Sequence, residues 1–428
     1  MRTFRCWLSF CSSVALLAGC DGGRGTPFSP SAGPSTALTM TSAERTHEHL
    51  VYSVLYRFKG GTDGVAPAAS LLDVDGTLYG ATVGGGGTGC YGSGCGTVFA
   101  ITISGHESVL YRFKGGKDGS FPEGSLIDVH GTLYGTTYSG GGTGCYEKTG
   151  CGTVFAITTS GKERVLHHFR GGKTDGAYPE ASLIDVNGTL YSTTVGGGAS
   201  HEGTVFTVSA SGAESLLYSF KRDATDGGVP VAPLLDVNRK LYGTTDVGGT
   251  SDDGTAFNIT TSGKETMLHS YAGGAADGAH PFAGLIDVEG TLYGTTLEGG
   301  EAQCGMLPGC GIVFAVTRTG NEAVLYRFKG GSKDGWYPSA GLAAIGSTLY
   351  GTTVYGGSTG CLVRGCGTIF AVTTSGKERV LHSFGETSGD GENPSASLIK
   401  VDGTLYGTTE SGGTSGAGTV FSLSPSHR

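Results

Sequence analysis

The chain has 428 residues, with 81 glycines, 15% charged residues and a formal net charge of −9. This composition argues against a helical protein and against a charge-solvated disordered chain, and it favours many short strands joined by tight turns. The acidic balance also argues against nucleic-acid binding, because neutralising phosphates requires a basic surface.

The first 20 residues have the features of an export signal. Arg2 and Arg5 precede an apolar run from Trp7 to Leu17, which is too short to span a bilayer because that needs about 20 apolar residues. The run ends in Leu-Ala-Gly-Cys, which resembles the lipobox of bacterial lipoproteins, where the chain is cut before a cysteine that then carries a diacylglycerol. The resemblance implies a signal peptide over residues 1–19 and lipidation of Cys20. An ordinary secretory leader is the alternative.

Residues 20–50 are rich in Gly, Ser, Thr and Pro. A segment with few large apolar residues cannot bury enough surface to offset the entropy lost on ordering. We therefore predict a flexible tether that starts at a lipid-anchored Cys20. The protein is expected on the periplasmic or cell-surface side of a bacterial membrane, as a monomer.

Residues 51–424 contain seven copies of one unit, and residues 425–428 form a C-terminal tail. Three markers recur seven times with small variations: Leu-Tyr-Gly-Thr-Thr, Gly-Thr-Val-Phe and Val-Leu-Tyr-Arg-Phe. In one unit, turn signals such as Asn187-Gly188 separate four predicted strands over 181–186, 189–194, 203–208 and 215–220. Four short antiparallel strands in about 50 residues are typical of a propeller blade.

The phase of the repeat distinguishes a closed ring from a solenoid. The repeats open with a lone fourth strand at Val51–Phe58 and end after a third strand at Gly418–Leu423. In a ring, the first strand completes the last blade and removes the open edges that a solenoid must cap. The sequence therefore predicts an all-β, seven-bladed β-propeller of four-stranded antiparallel blades, closed by the N-terminal strand.

Long loops are predicted on one face of this ring, where binding residues concentrate. Eight cysteines form close pairs in four of these loops, and an even count in an exported chain predicts disulfides. Metal binding by the thiolates is the alternative, although the pairs lie in separate blades. The pairs are Cys90 with Cys95, Cys145 with Cys151, Cys304 with Cys310, and Cys361 with Cys366.

The motif Asp-Gly-x-x-Pro recurs in each loop between blades. The carboxylate can accept local backbone N–H groups and Gly adopts positive φ, so the aspartates are predicted turn formers. Calcium or sugar ligation is the alternative for them, and no other cofactor, metal site or catalytic residue is predicted. These aspartates are Asp63, Asp118, Asp175, Asp226, Asp277, Asp334 and Asp390.

The residues just before the motif's proline differ among the copies. Aromatic faces on a loop-bearing surface suit stacking on sugar rings or gripping a peptide. The alternative is that these side chains lie between blades and only support them. The ligand-binding candidates are Phe121, Tyr178, His280, Trp336 and Tyr337.

The repeat as a whole resembles the GloVer tandem repeat of choice-of-anchor surface proteins, over about Val51 to Leu423. The resemblance implies a repeat array joined to a surface anchor, here Cys20, and it provides no catalytic residue. The sequence thus favours a lipid-anchored binding or scaffold propeller that recognises a glycan or a protein through its loop face. A carbohydrate-active hydrolase or lyase acting at the central channel is the alternative.

Overall fold

A computed structural model describes residues 50–142, 144–145, 149–301, 303–361 and 364–425. These residues form seven four-stranded antiparallel sheets arranged as a seven-bladed β-propeller, which confirms the predicted fold. The predicted signal peptide, Cys20 and nearly all of the predicted tether lie outside the described residues. Within the described ranges, no helix is long and apolar enough to cross a membrane.

Each blade contains strands a, b, c and d. Blade 1 comprises Leu72–Val74, Thr77–Thr82, Thr97–Thr102 and Glu107–Arg112. Blade 2 comprises Ile127–Val129, Thr132–Thr137, Thr153–Thr158 and Glu163–His168. Blade 3 comprises Ile184–Val186, Thr189–Thr194, Thr204–Ser209 and Glu214–Ser219. Blade 4 comprises Leu235–Val237, Lys240–Thr245, Thr255–Thr260 and Glu265–Ser270. Blade 5 comprises Ile286–Val288, Thr291–Thr296, Ile312–Thr317 and Glu322–Arg327. Blade 6 comprises Ala343–Ile345, Thr348–Thr353, Thr368–Thr373 and Glu378–Ser383. Blade 7 comprises Ile399–Val401, Thr404–Thr409, Thr419–Pro425 and, as strand d, Leu50–Arg57.

Short two-stranded ladders join the d–a loop entering a blade to the b–c loop of that blade. They pair Gly64–Val65 with Gly84–Gly85, Gly176–Ala177 with Gly196–Gly197, Gly227–Gly228 with Val247–Gly248, Gly278–Ala279 with Glu298–Gly299, Gly335–Trp336 with Tyr355–Gly356, and Gly391–Glu392 with Ser411–Gly412. A single bridge from Ser120 to Ser139 takes this place in blade 2. A short 3₁₀ helix spans Cys90–Gly92 in the blade 1 loop.

The N-terminal strand closes the ring as predicted. Leu50–Arg57 pairs antiparallel with Thr419–Pro425, from Leu50 opposite Pro425 to Arg57 opposite Thr419. The Arg57 Nε donates to the Gly389 carbonyl at 2.7 Å, which ties the same strand to the loop entering blade 7. Strands a of neighbouring blades contact each other and therefore lie nearest to the propeller axis.

An aromatic pair fills every junction between neighbouring blades. The aromatic residue just after strand d meets the phenylalanine of the next blade's strand c edge to face, at centroid distances of 5.0–5.3 Å. Such pairs contribute about 0.5–1.5 kcal/mol beyond the burial of their area. The pairs are Phe58 with Phe99, Phe113 with Phe155, Phe169 with Phe206, Phe220 with Phe257, Tyr271 with Phe314, Phe328 with Phe370, and Phe384 with Phe421.

Buried threonines of the Leu-Tyr-Gly-Thr-Thr and Gly-Thr-Val-Phe markers form hydrogen bonds with each other. The last Thr of strand b and the Thr of the Gly-Thr-Val-Phe marker share a hydroxyl hydrogen bond, as between Thr82 and Thr97 at 2.8 Å. The Thr82 hydroxyl also donates to the Gly84 carbonyl at 2.8 Å. These bonds satisfy buried hydroxyls that would otherwise destabilise the blade. Blade 5 departs from the pattern, because Ile312 stands opposite Thr296.

Candidate functional site

The antiparallel order of each blade places the short a–b and c–d turns on one face and the long b–c and d–a loops on the other. We call the second face the loop face. All seven motif aspartates lie on it and accept local hydrogen bonds. Asp63, for example, accepts the Lys59 and Gly64 amides at 2.9 and 2.8 Å and the Tyr56 hydroxyl at 2.9 Å. This bonding is what a turn former requires.

Four disulfides are present in the b–c loops of blades 1, 2, 5 and 6. They join Cys90 to Cys95, Cys145 to Cys151, Cys304 to Cys310, and Cys361 to Cys366. Each closes a small loop of the loop face, and disulfides persist in oxidising compartments outside the cytoplasm.

The residue before each motif proline has positive φ, between 55° and 63°. The backbone N–H of this residue donates to a carbonyl of the preceding blade's b–c loop, as from Tyr178 to Cys151 at 2.8 Å. These hydrogen bonds fix the left-handed conformation, which a non-glycine residue adopts only at a cost. The residues are Ala66, Phe121, Tyr178, Val229, His280, Tyr337 and Asn393.

The structure places the five ligand-binding candidates in different environments. The Tyr178 ring stacks on Tyr138 of the preceding blade, with centroids 5.0 Å apart. The ring centroids of Tyr337 and Tyr355 are 5.9 Å apart. The Phe121 side chain is partly exposed. These side chains therefore lie at blade boundaries of the loop face. Their partial exposure is compatible with supporting the blades and with contacting a ligand.

Trp336 is the least accessible of the candidates. Its side chain is 6% exposed, packs against Tyr355 with centroids 4.7 Å apart, and donates its indole N–H to the Arg364 carbonyl at 3.1 Å. A ligand on the loop face would reach little of this ring. The structure thus gives Trp336 a supporting position in the blade 6 loop.

Sequence reasoning missed a cluster of four carboxylates near the axis. Glu123 and Glu180 follow the motif prolines that lead into blades 2 and 3, and Asp246 and Glu410 follow strand b of blades 4 and 7. Glu123 interacts electrostatically with Glu180 and Glu410, and Glu180 with Asp246. These three interactions connect residues of blades 2, 3, 4 and 7, and such blades approach one another only at the centre of a ring, so we infer that the four carboxylates lie near the axis. We call these four residues the axial acidic cluster.

The cluster is enclosed by protein but reached by solvent, because all four residues keep partly exposed surface. Burial raises the pKa of the Glu123 carboxyl well above its ordinary value, and the charges of Glu180 and Glu410 raise it further. Burial and Asp246 likewise raise the pKa of Glu180. Burial raises the pKa of Glu410, partly offset by the Ser395 hydroxyl. The site therefore holds negative charge at a free-energy cost.

His280 is the candidate that borders this cluster. Its Nδ1 lies 3.0 Å from the Asp246 carbonyl oxygen and 3.2 Å from the Asp246 Oδ1. The hydrogen bond and the charge of Asp246 raise the pKa of His280 to about 9. His280 is therefore protonated at neutral pH and compensates Asp246, whereas Glu123, Glu180 and Glu410 have no such partner in the interactions of the described residues.

A comparison with protein families finds the Gloeobacter/Verrucomicrobia repeat three times, over residues 37–163, 144–308 and 305–428. A search of curated proteins finds no match. The matched ranges cover the whole propeller.

Several solved structures are similar to the chain at low identity. A fungal alcohol oxidase in complex with copper is 13% identical with a TM-score of 0.51, over 88% of this chain and 75% of that chain. A luciferin-regenerating enzyme is 13% identical with a TM-score of 0.38, over 88% and 95%. A Mycobacterium tuberculosis puromycin-hydrolyzing peptidase is 12% identical with a TM-score of 0.36, over 82% and 60%. Of these three, the alcohol oxidase has a TM-score above 0.5, and at 13% identity its similarity concerns the fold alone.

Proposed function

The chain belongs to the Gloeobacter/Verrucomicrobia repeat family, and we propose that it is an extracytoplasmic binding or scaffold propeller that captures a protein ligand through its loop face. The four disulfides and the membership of a surface-repeat family support a location outside the cytoplasm. The lipobox-like sequence before Cys20 supports lipid anchoring to a bacterial membrane.

The observation that carries the proposal is the axial acidic cluster. Burial raises the pKa of Glu123, Glu180 and Glu410, and neighbouring carboxylates raise the pKa of Glu123 and Glu180 further, so a cationic group placed beside them would offset the cost of ionisation. Lysine and arginine side chains are long enough to place a charge in a recessed site while the rest of the partner stays outside it. We therefore favour a protein partner that presents a basic side chain at the channel mouth.

Peptide arrays and glycan arrays probed with the purified protein test this proposal. We expect binding to lysine- or arginine-containing peptides, weakened at least about tenfold in a Glu123→Gln, Glu180→Gln variant, because a tenfold change needs only about 1.4 kcal/mol. An Asp75→Asn, Glu289→Gln variant changes the charge equally on the opposite face and should bind normally. Binding to neutral glycans alone, or equal binding by both variants, would contradict the proposal.

One observation favours a second function, that of a carbohydrate-active enzyme. A carboxyl with a raised pKa beside another carboxylate is the pair that glycoside hydrolysis uses, and Glu180 has Glu123 and Asp246 as neighbours. Release of reducing ends from polysaccharides by the purified protein, lost in Glu180→Gln, would support the enzyme. It would also count against a purely binding propeller.

A further inference from the structure

A set of polar side chains recurs at each junction between neighbouring blades. It consists of a residue near the end of strand d, the motif aspartate, and the first residue of the next blade's strand d. At four junctions the set is Tyr, Asp and Glu, and the tyrosine hydroxyl donates to the aspartate, as from Tyr111 to Asp118 at 2.7 Å. These four sets are Tyr56, Asp63 and Glu107; Tyr111, Asp118 and Glu163; Tyr218, Asp226 and Glu265; and Tyr326, Asp334 and Glu378.

Two junctions replace the tyrosine with histidine and keep both acids. The sets are His167, Asp175 and Glu214 between blades 2 and 3, and His269, Asp277 and Glu322 between blades 4 and 5. In each set, one ligand atom from every side chain lies within 4.8 Å of the other two. One imidazole nitrogen and two carboxylate oxygens form a donor set that suits Zn²⁺ and similar divalent cations.

The histidine–aspartate distance in each set is compatible with two ligands of one metal ion, and the glutamate as third ligand is what distinguishes these sets from the junction at His382. His167 Nε2 lies 3.5 Å from Asp175 Oδ1, and His269 Nε2 lies 3.3 Å from Asp277 Oδ2. Two ligand atoms bound to one tetrahedral Zn²⁺ at about 2.0–2.1 Å are roughly 3.3–3.4 Å apart. A charge-assisted hydrogen bond is typically shorter, about 2.7–2.9 Å.

A buried imidazole nitrogen without a partner distinguishes the junction between blades 2 and 3. The Nε2 of His167 is inaccessible to solvent and has no hydrogen-bond partner within the described part of the chain, whereas His269 Nε2 lies within hydrogen-bond distance of Asp277. The buried glutamate Oε1 is unpaired at the histidine junctions and at the four tyrosine junctions alike. Buried polar atoms normally have a partner, because leaving one unpaired costs about 1–3 kcal/mol. At the two histidine junctions, a bound cation would pair the imidazole and the glutamate oxygen at once, because only there do an imidazole and two carboxylates converge.

We propose that each of these two junctions binds one Zn²⁺ ion, which connects strand d and the following loop of one blade to strand d of the next. A divalent cation also balances the two carboxylates that each junction holds. The ion would thus stabilise the boundaries between blades 2 and 3 and between blades 4 and 5. This inference does not depend on the proposed function of the loop face.

The remaining junction provides a natural control. It also contains a histidine, His382, whose Nε2 lies 3.3 Å from Asp390 Oδ2, but Tyr52 replaces the glutamate. The Tyr52 hydroxyl donates to Asp390 at 2.6 Å, and its ring stacks on His382 with centroids 3.7 Å apart. Two ligands and a stacked ring leave this junction without a complete donor set.

The test is Zn²⁺ binding to chelator-treated full-length protein, measured by calorimetry and by metal content. We expect two Zn²⁺ per chain, one in His167→Tyr or His269→Tyr, and none in the double variant. These variants recreate the Tyr junction that the chain already uses four times, so they are expected to fold. His382→Tyr should still bind two ions.

Thermal unfolding adds a second measurement. Zn²⁺ should raise the melting temperature of the wild-type protein and of His382→Tyr, and leave the folded double variant unchanged. Failure of the wild-type protein to bind Zn²⁺ stoichiometrically, or binding of two ions by the double variant, would overturn the proposal.

Discussion

The blade junctions and the axial acidic cluster are built from the same seven repeats, but they differ in how the repeats are used. At the junctions, every copy contributes an edge-to-face aromatic pair and an aspartate turn. Near the axis, equivalent positions differ, so Glu123 and Glu180 have Val231 and Phe282 as counterparts in the next two blades. The comparison indicates that repeated positions hold the ring together, while unrepeated positions give one sector of the channel its charge.

Among changes at the blade junctions, removal of the strand that closes the ring should reduce stability most. Deleting Leu50–Arg57 exposes the edge of Thr419–Pro425 and opens the ring. We expect loss of cooperative unfolding or a loss of several kcal/mol, which is a large part of the 5–15 kcal/mol that stabilises a typical domain. Urea unfolding measures this, and adding the peptide 48–58 should restore part of the stability. An unchanged unfolding midpoint would refute closure.

Removal of a single aromatic side chain at a junction should destabilise the protein less than removal of the closing strand, but still by several kcal/mol. Phe220→Ala removes one member of the edge-to-face pair with Phe257 and creates a cavity, so we expect a loss of about 3–5 kcal/mol. Tyr91, which is 86% exposed, is the matched control, and Tyr91→Ala should change the unfolding free energy by less than about 0.5 kcal/mol. Equal losses of unfolding free energy in Phe220→Ala and Tyr91→Ala would contradict a stabilising role of the junction pair.

Substitutions in the axial acidic cluster should stabilise the folded protein at high pH, whereas substitutions at the junctions destabilise it. A carboxyl whose pKa is raised on folding destabilises the folded state as pH rises above its ordinary pKa of about 4.5. Wild-type stability should therefore fall between about pH 5 and pH 8, and fall less in Glu123→Gln, Glu180→Gln. Urea unfolding should show the variant to be more stable at pH 8, on the order of 1 kcal/mol. A less stable variant at pH 8 would contradict the assignment.

Much of the ring could be predicted because its signals are local and repeated. The predicted second strand at 189–194 coincides with the observed Thr189–Thr194, and Val51–Phe58 differs from the observed strand by one residue at each end. The first strand was predicted at 181–186 but forms only at Ile184–Val186. The preceding residues bond between blades instead, because the Ser182 hydroxyl accepts the Ser125 amide at 2.8 Å.

The axial cluster could not be predicted in the same way. Glu123 and Glu410 lie at opposite ends of the sequence and meet only because the ring closes, and no local motif marks either residue. Their position in the repeat is the one indication in the sequence. Each residue directly follows a repeated marker, at a place where the copies carry different residues. Trp336 shows the converse, since an aromatic residue in a loop gives no indication from sequence that its ring is buried.

The most direct test of the central claim is calorimetric titration of the purified protein with a lysine-rich peptide at pH 8 and pH 5. Protonation of Glu123 and Glu180 at the lower pH removes negative charge that would hold a cation. We predict binding at pH 8 that weakens at least about tenfold at pH 5 and, at pH 8, in Glu123→Gln, Glu180→Gln. Absence of binding at pH 8, or an affinity unaffected by both changes, would contradict the account.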